Sequence, residues 1–396
     1  MNGTHTLTRP GAAQVKGWCP GAVRPMAARD GLVVRIRAPG GRLTAAQARG
    51  VALLAQRWAH PVLELTNRAN LQMRGVAPDH HSPLLHGLRD LGLADADAAG
   101  EARRNVQVEP FWSEGDGSHR LAVELGQLLS REDAPALPAK FGFAVDTGRV
   151  PRLREAHADV RLERHGDGVL VYADSATCGV VVSAQEAPAC ALALARWFLD
   201  AGGAPAGRGR MAALLERCAL PEAWSQVPLG EGVPWVPAAG RHAPGFLVML
   251  AFGLLQAETL AALADRGPLR LTPWRGLLLE GVVAPPPLPE LIVDAGDARL
   301  RVAACTGAPG CEQAKHSTRD LALALADAVP PGQLLHVSGC PKGCAHPRAA
   351  PTLVATPGGW SHVRWGRADS EPDLEGLDPS ALEPHLHHTF AHAAPI

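Results

Sequence analysis

Four cysteines carry the strongest chemical signal in this chain. "ACTGAPGC" places Cys305 and Cys311 with five residues between them. "HVSGCPKGCAHP" places Cys340 and Cys344 with three between them, 28 residues further on. Sulfurs spaced this closely bind a metal, close a disulfide or attack a substrate. Zinc sites usually leave two to four residues within each pair, often with histidine. The five-residue gap and the Cys340-Pro341 step fit iron–sulfur ligation better. Gly307, Gly310, Gly339 and Gly343 would let backbone N–H groups approach the sulfides of a [4Fe-4S] cluster. Structural zinc and reduced core cysteines remain the other readings. Cys19, Cys178, Cys190 and Cys218 have no partner at ligand spacing and read as ordinary buried thiols, with Cys19 in "GWCPGA" the one to follow.

The other chemistry-bearing residues are scarce. Of 38 basic residues only Lys16, Lys140, Lys315 and Lys342 are lysines, and the last two stand within a few residues of a paired cysteine. Lysine offers a compact ammonium where arginine offers a planar fork, so these positions are candidates for a point charge. A net charge of -1 gives no argument for nucleic acid or a membrane surface. The start lacks the basic and apolar runs of a signal peptide. "FLVMLAF" at 246–252, the longest apolar run, is too short to span a bilayer. A cytoplasmic location is therefore expected, where thiols stay reduced, which weakens the disulfide reading.

The elements that must position these residues read as two similar halves, in a chain of 396 residues long enough for two or three domains. Residues 31–76 read as strand ("GLVVRIRAPGG"), helix behind a Thr44 N-cap, and alternating strand ("PVLELTNRANLQMRGV"). Residues 245–282 repeat the scheme: Leu65-Thr66 matches Leu271-Thr272, Leu71 matches Leu277, and Gly75-Val76 matches Gly281-Val282. A longer segment follows each unit. Strands are expected in "DVRLERHGDGVLVYAD", "CGVVVSAQ", "APTLVATPG" and "WSHVRWG", and a helix near 186–201. Proline-rich 227–245 and 283–290 read as linkers. The expected fold is α+β, a twofold pseudo-repeat, with segments at 15–80, 98–230, 240–284 and 290–396.

The cysteine pattern, with "HVSGC" leading into its second pair, resembles the sulfite and nitrite reductase family, over nearly the whole chain. In that family a twofold repeat of ferredoxin-like units and larger domains holds a [4Fe-4S] cluster, whose last cysteine also bridges to sirohaem iron. "LTNRANLQMRGV", "RRNV" and "LPAKF" resemble its tetrapyrrole-binding motifs and align Arg68, Gln72, Arg104, Asn105 and Lys140 as substrate-binding residues. Two departures stand out. The family usually has a second lysine two positions beyond the one matched by Lys140, where this chain has Gly142. Its second cysteine pair typically encloses Pro-Asn and a small residue, where this chain has Pro341-Lys342-Gly343.

With "KGWCPGAVRPM", "LPAKFGFAVD" and "KGCAHP", these departures resemble the branch that oxygenates a metal-free tetrapyrrole in aerobic cobalamin biosynthesis. That resemblance implies a monooxygenase acting on precorrin-3A and O2, hydroxylating C20 and closing a γ-lactone from the ring A acetate. It also implies a [4Fe-4S] cluster at Cys305, Cys311, Cys340 and Cys344, and a non-haem iron whose ligands do not stand out among 17 histidines. Lys140, Lys342 and His346 are the candidates for handling protons or a peroxide. No G-x-G-x-x-G opens a helix after a strand, and "GGAPAGRGR" at 202–210 follows a helix instead. NADH is thus expected to act only as an indirect electron source, through a separate reductase. The rival readings are a sirohaem-dependent sulfite or nitrite reductase and a non-enzymatic iron–sulfur or tetrapyrrole carrier.

Overall fold

Thr44 starts the first helix by a capping box. Its hydroxyl accepts the Gln47 N–H at 3.2 Å, and the Gln47 side chain accepts the Thr44 N–H at 3.0 Å. The helix, Ala45–Trp58, buries Ala48, Val51, Ala52 and Ala55 on one stripe. The structure, a computed structural model, describes residues 18–232, 235 and 237–391. Lys16 and the first residues of the expected 15–80 segment lie outside them. The described residues divide into two compact units, one made of 18–27 with 31–295, the other of 28–30 with 296–391. The fold is α+β with a twofold pseudo-repeat.

The stretch expected as one alternating strand is a hairpin. Val62–Leu65 and Leu71–Val76 run antiparallel with Leu65 opposite Leu71. Thr66 makes the turn: its hydroxyl accepts the N–H groups of Arg68 and Asn70, each at 3.3 Å, and Ala69 takes a φ of 52°. The second half repeats this in detail. Leu269–Leu271 and Gly276–Glu280 pair with Leu271 opposite Leu277. Thr272 accepts from Trp274 and Gly276 at 3.3 and 3.1 Å, and Arg275 takes a φ of 60°. The repeat legible in the matched leucines therefore extends to register and turn.

Each half lends a strand to the other's sheet. Arg42–Leu43 pairs with Leu269–Leu271, Leu43 opposite Leu269. Leu254–Gln256 pairs with Val62–Leu65, Leu255 opposite Leu63. All four leucines are fully buried. The helices Ala45–Trp58 and Ala257–Ala264 pack together, and side chains of both halves form one core. Beyond these sheets, Val106–Val108, Phe143–Asp146 and Val160–His165 run parallel, followed by antiparallel Gly168–Ala173 and Cys178–Val182. The helices Ser118–Ser130 and Ala187–Asp200 share their core. The region 227–245 is more than a linker: Val227–Pro228 pairs with residues of Cys178–Val182, and Gly240–His242 with Gly245–Leu250. Open sheet edges offer unpaired backbone groups that such short extended pieces satisfy.

The second unit has the same strand logic. Val302–Ala304, Leu335–Ser338 and Ala350–Thr356 run parallel, then Gly359–Gly366 and Leu374–Leu377 antiparallel. A helix absent from the sequence reading, Pro379–Ala391, buries Leu382, Leu386 and Phe390. Among the described residues no helix is long and apolar enough to cross a membrane.

Because each half completes the other's sheet, Leu43→Ala and Leu255→Ala should each cost roughly 2–5 kcal/mol. Each should also loosen the strands of both halves. Hydrogen exchange checks this: protection lost only in the half that carries the substitution would contradict mutual support.

Candidate metal centre and arginine cleft

The cysteines stand at the ends of two neighbouring parallel strands. Cys305 follows Val302–Ala304 directly, and Cys340 follows Leu335–Ser338, with Ala304 opposite Val337. The Gly339 N–H donates to the Cys305 thiol at 3.2 Å. A side chain at Gly339 would bring its Cβ within 2.7 Å of the Ala314 Cβ and 3.5 Å of the Cys305 sulfur. The loop of the first pair closes through Cys311 N–H to the Gly307 carbonyl at 2.9 Å, and Lys315 N–H joins it to the Gly339 carbonyl at 3.1 Å. Burial pushes the Cys340 and Cys344 thiols up, and the neighbouring cysteines add to it in both cases. Opposing this, the Lys342 N–H donates to the Cys340 thiol, and its ammonium acts on Cys340 and Cys344. Cys344 thus lies within electrostatic reach of Cys305, Cys311 and Cys340.

All eight cysteines are free thiols. Four thiols within electrostatic reach, amide donors aimed at sulfur and a glycine where a Cβ would crowd it suit a thiolate-bound cluster. Among the described residues no three His, Cys, Asp or Glu side chains gather tightly enough for a single ion. A cluster, which puts its own atoms between its ligands, does not require that. Behind the loop lies fully buried His336, its Nε2 without a partner among the described residues and its pKa pushed down to about 4 by burial. The His346 ring lies beside it, centroids 5.9 Å apart, and is also lowered by burial. Lys342 and His346 thus belong to the unit that carries the paired cysteines, and Lys140 to the other.

In the first unit the expected binding residues meet a group of arginines. Arg35 and Arg37 alternate with fully buried Val34 and Ile36, so they share the opposite face. Burial pulls the Arg37 guanidinium down to about 10, with Arg35 and Arg104 adding to it. Burial also lowers Arg68, followed by Arg210 and Arg35 among the cations. Cys19 is half-buried, hydrogen-bonds Arg35 and lies within electrostatic reach of Arg68. Cys178, Cys190 and Cys218 are likewise only half-buried, not the core thiols expected. The loop carrying Cys19 is held by Glu101, which accepts the N–H groups of Ala22, Val23 and Arg24. Gly21 is required there, since a Cβ would fall 1.8 Å from a Glu101 oxygen.

The aligned residues differ in what they have left to offer. Arg68 donates to the Lys140 carbonyl at 3.1 Å and meets no carboxylate partner among the described residues. Lys140 is exposed. Arg104 is paired with both oxygens of Asp95 at 2.8 and 2.7 Å, at the edge of a cavity of about 380 Å³ that Arg37 also lines. Gln72 is engaged internally, accepting from Arg35 at 3.0 Å and donating to Glu64 at 3.4 Å. Asn105 donates to the carbonyls of Ala102, Ala139 and Phe141 and accepts from Arg37, so it staples the Lys140 loop in place. The sequence reading missed Arg35, Arg37 and Arg210. Two arginines at alternate positions of an apolar strand were the available signal for the first two. Another cavity of the unit, about 820 Å³, contains none of these residues; its Arg42 and Arg270 are both engaged by Glu280.

Residues 24–91 match the family described as the nitrite/sulfite reductase ferredoxin-like half domain. The NirA protein of Mycobacterium tuberculosis shares the fold, with a TM-score of 0.60 at 17% identity, over 90% of this chain and 79% of that one. The class is thus an α+β protein on the sulfite and nitrite reductase fold. Within it the chain resembles a precorrin-3B synthase from Sinorhizobium sp., 27% identical over 91% of this chain and 85% of the relative. A ferredoxin–nitrite reductase from Synechococcus elongatus is 24% identical over 80% of this chain and 75% of the relative.

The strand ends that carry cysteines in one unit carry carboxylates in the other. Glu109 directly follows Val106–Val108, and Asp146 ends Phe143–Asp146. Arg152 donates to Glu109 at 2.9 Å, while Asp146 accepts the N–H groups of Arg152 and Leu153 and leaves its Oδ1 buried without a partner among the described residues. Burial, aided by Glu109 and Glu163, pushes the Asp146 carboxyl up to about 7. Its ordinary value is near 4. The protonated form therefore stabilises the fold fully below about pH 4, and this contribution is lost as pH rises through 7. Asp146→Asn, always neutral, should gain thermal stability over the native protein between pH 4 and 8. A melting-temperature difference that stays flat across that range would refute a protonated Asp146.

Proposed function

We propose that this chain is a monooxygenase that converts precorrin-3A to precorrin-3B. Its extended similarity to a precorrin-3B synthase supports the reading. The observation that carries it is Gly142. Its N–H is bound by Asp159 at 3.0 Å, and a Cβ there would lie 3.6 Å from the Arg68 Nη1. A lysine at this place would set an ammonium against a guanidinium that has no carboxylate of its own. The converging cations that an anion reductase needs are thus reduced in number, while arginines suited to a polycarboxylate macrocycle remain.

One oxygen atom of O2 becomes the C20 hydroxyl, and the other leaves as water with two electrons and two protons. Closing the lactone from the ring A acetate needs no further electrons. A cluster held by Cys305, Cys311, Cys340 and Cys344 would supply electrons singly, drawn from a separate reductase and ultimately from NADH. Arg68 and Arg104 orient the macrocycle through its carboxylates, so that one meso carbon is presented for reaction. Lys140, Lys342 and His346 are the proton-handling candidates, and a non-haem iron is a further cofactor that the resemblance implies. The second reading is a sirohaem-dependent nitrite or sulfite reductase, favoured by the similarity to the Synechococcus enzyme.

Under labelled O2 with precorrin-3A and a reductant, the product should carry one labelled oxygen. An unlabelled product, or sulfite or nitrite turnover at tens per second, would favour the second reading. Alanine at any of the four cysteines should remove most bound iron and acid-labile sulfide. Undiminished iron and sulfide in all four variants would refute the cluster ligands.

A further inference from the structure

Arg210 ends the glycine-rich stretch that sequence reading set aside. Its Nε donates to both oxygens of Asp159, at 2.9 and 3.0 Å, and its Nη2 donates to the Ala158 carbonyl at 3.1 Å. Asp159 is fully buried and is saturated by Arg210, the Met211 N–H at 2.8 Å and the Gly142 N–H at 3.0 Å. The same Asp159 oxygen thus receives Gly142 and Arg210. On the other side of Gly142, the Arg68 Nη1 stands 3.6 Å from the place a Cβ would take. Arg210 is about one-third exposed, and no hydrogen bond engages its Nη1 among the described residues. The two guanidiniums are near enough to oppose each other's charge: burial lowers Arg68 most, and Arg210 adds to it.

Two cations held this close, with Asp159 already saturated and Asp174 paired with Arg161, leave positive charge around Gly142 uncompensated among the described residues. We propose that Arg210 is a substrate-binding arginine: with Arg68 it takes one carboxylate of the tetrapyrrole between them, Asp159 fixing its fork. The proposal rests on the tetrapyrrole reading of this cleft and adds to it a residue outside the aligned motifs. It also says how the site makes up for the absent lysine. The second cation comes from residue 210 rather than from the loop that carries Lys140, so the space over Gly142 stays clear of a side chain while an anion-binding edge is kept.

The test is equilibrium binding of uroporphyrin, an octacarboxylate, to the full chain purified anaerobically, followed by fluorescence quenching. Its octamethyl ester is the neutral control. Arg210→Gln and Arg68→Gln should each weaken uroporphyrin binding by about tenfold or more, the value of one charged hydrogen bond. The double variant should lose less than the product of the two effects, because one carboxylate is shared. Ester binding should not change in any of them. Arg210→Lys, which keeps the charge on Asp159, serves if Arg210→Gln does not fold, and should weaken uroporphyrin binding severalfold. Native affinity in the Arg210 variants with a loss in Arg68→Gln would overturn this inference and leave the cleft reading standing. Equal weakening of acid and ester would overturn it in favour of a structural role. Native affinity in both single variants would overturn the cleft reading itself, and with it this inference.

Discussion

Asp159 is the residue on which the first unit's site turns. A fully buried carboxylate costs several kcal/mol unless its oxygens are all engaged. Here they are engaged by groups from separate stretches of chain: Gly142, Arg210 and Met211. The backbone reinforces the same junction, Asp159 N–H donating to the Gly142 carbonyl at 2.7 Å and Asp174 N–H to the Asp159 carbonyl at 2.9 Å. One acid therefore fixes the Lys140 loop from below, as Asn105 does from its side. Neither needs to touch a ligand to decide where the ligand's partners stand.

The charge distribution follows a simple division. Glu101 is engaged by backbone N–H groups, Asp95 by Arg104 and Asp159 by Arg210, so among the described residues Arg68 is left without an acid. In the second half the position matching Arg68 is Trp274 and that matching Gln72 is Leu278, on the same turn and strand. The two halves share a backbone, yet only the first carries polar groups at these places. Duplication supplied the frame, and the chemistry was kept on one copy.

The repeat was legible because leucines at matched positions face one core, and burial tolerates little drift in their spacing. The hairpin inside it was not, because alternation continues through Thr66 and hides a turn made by one hydroxyl. The cysteine pairs were legible because close spacing alone brings two thiols to the end of each strand. Asn105 was read as a binding residue, but a side chain that can reach three carbonyls is as well suited to holding a loop, and only geometry decides. Arg210 was hidden since its partner lies 51 positions away and nothing local marks the pair. The last helix was marked by Leu382, Leu386 and Phe390 at one-turn intervals, under the disguise of Pro384 and several histidines.

The exchanged strands also impose an order of events on a chain made from its N-terminus. Arg42 reaches its partner Glu280 only after a further 238 residues have been added. At ordinary rates of synthesis, 5–20 residues per second, that is a wait on the order of 10–50 s. For most of it the sheet edge at Val62–Leu65 stands open, until Leu254–Gln256 has been made. Another nascent copy could offer its own chain to that edge, so yield should depend on how crowded the ribosomes are and on what shields the edge meanwhile.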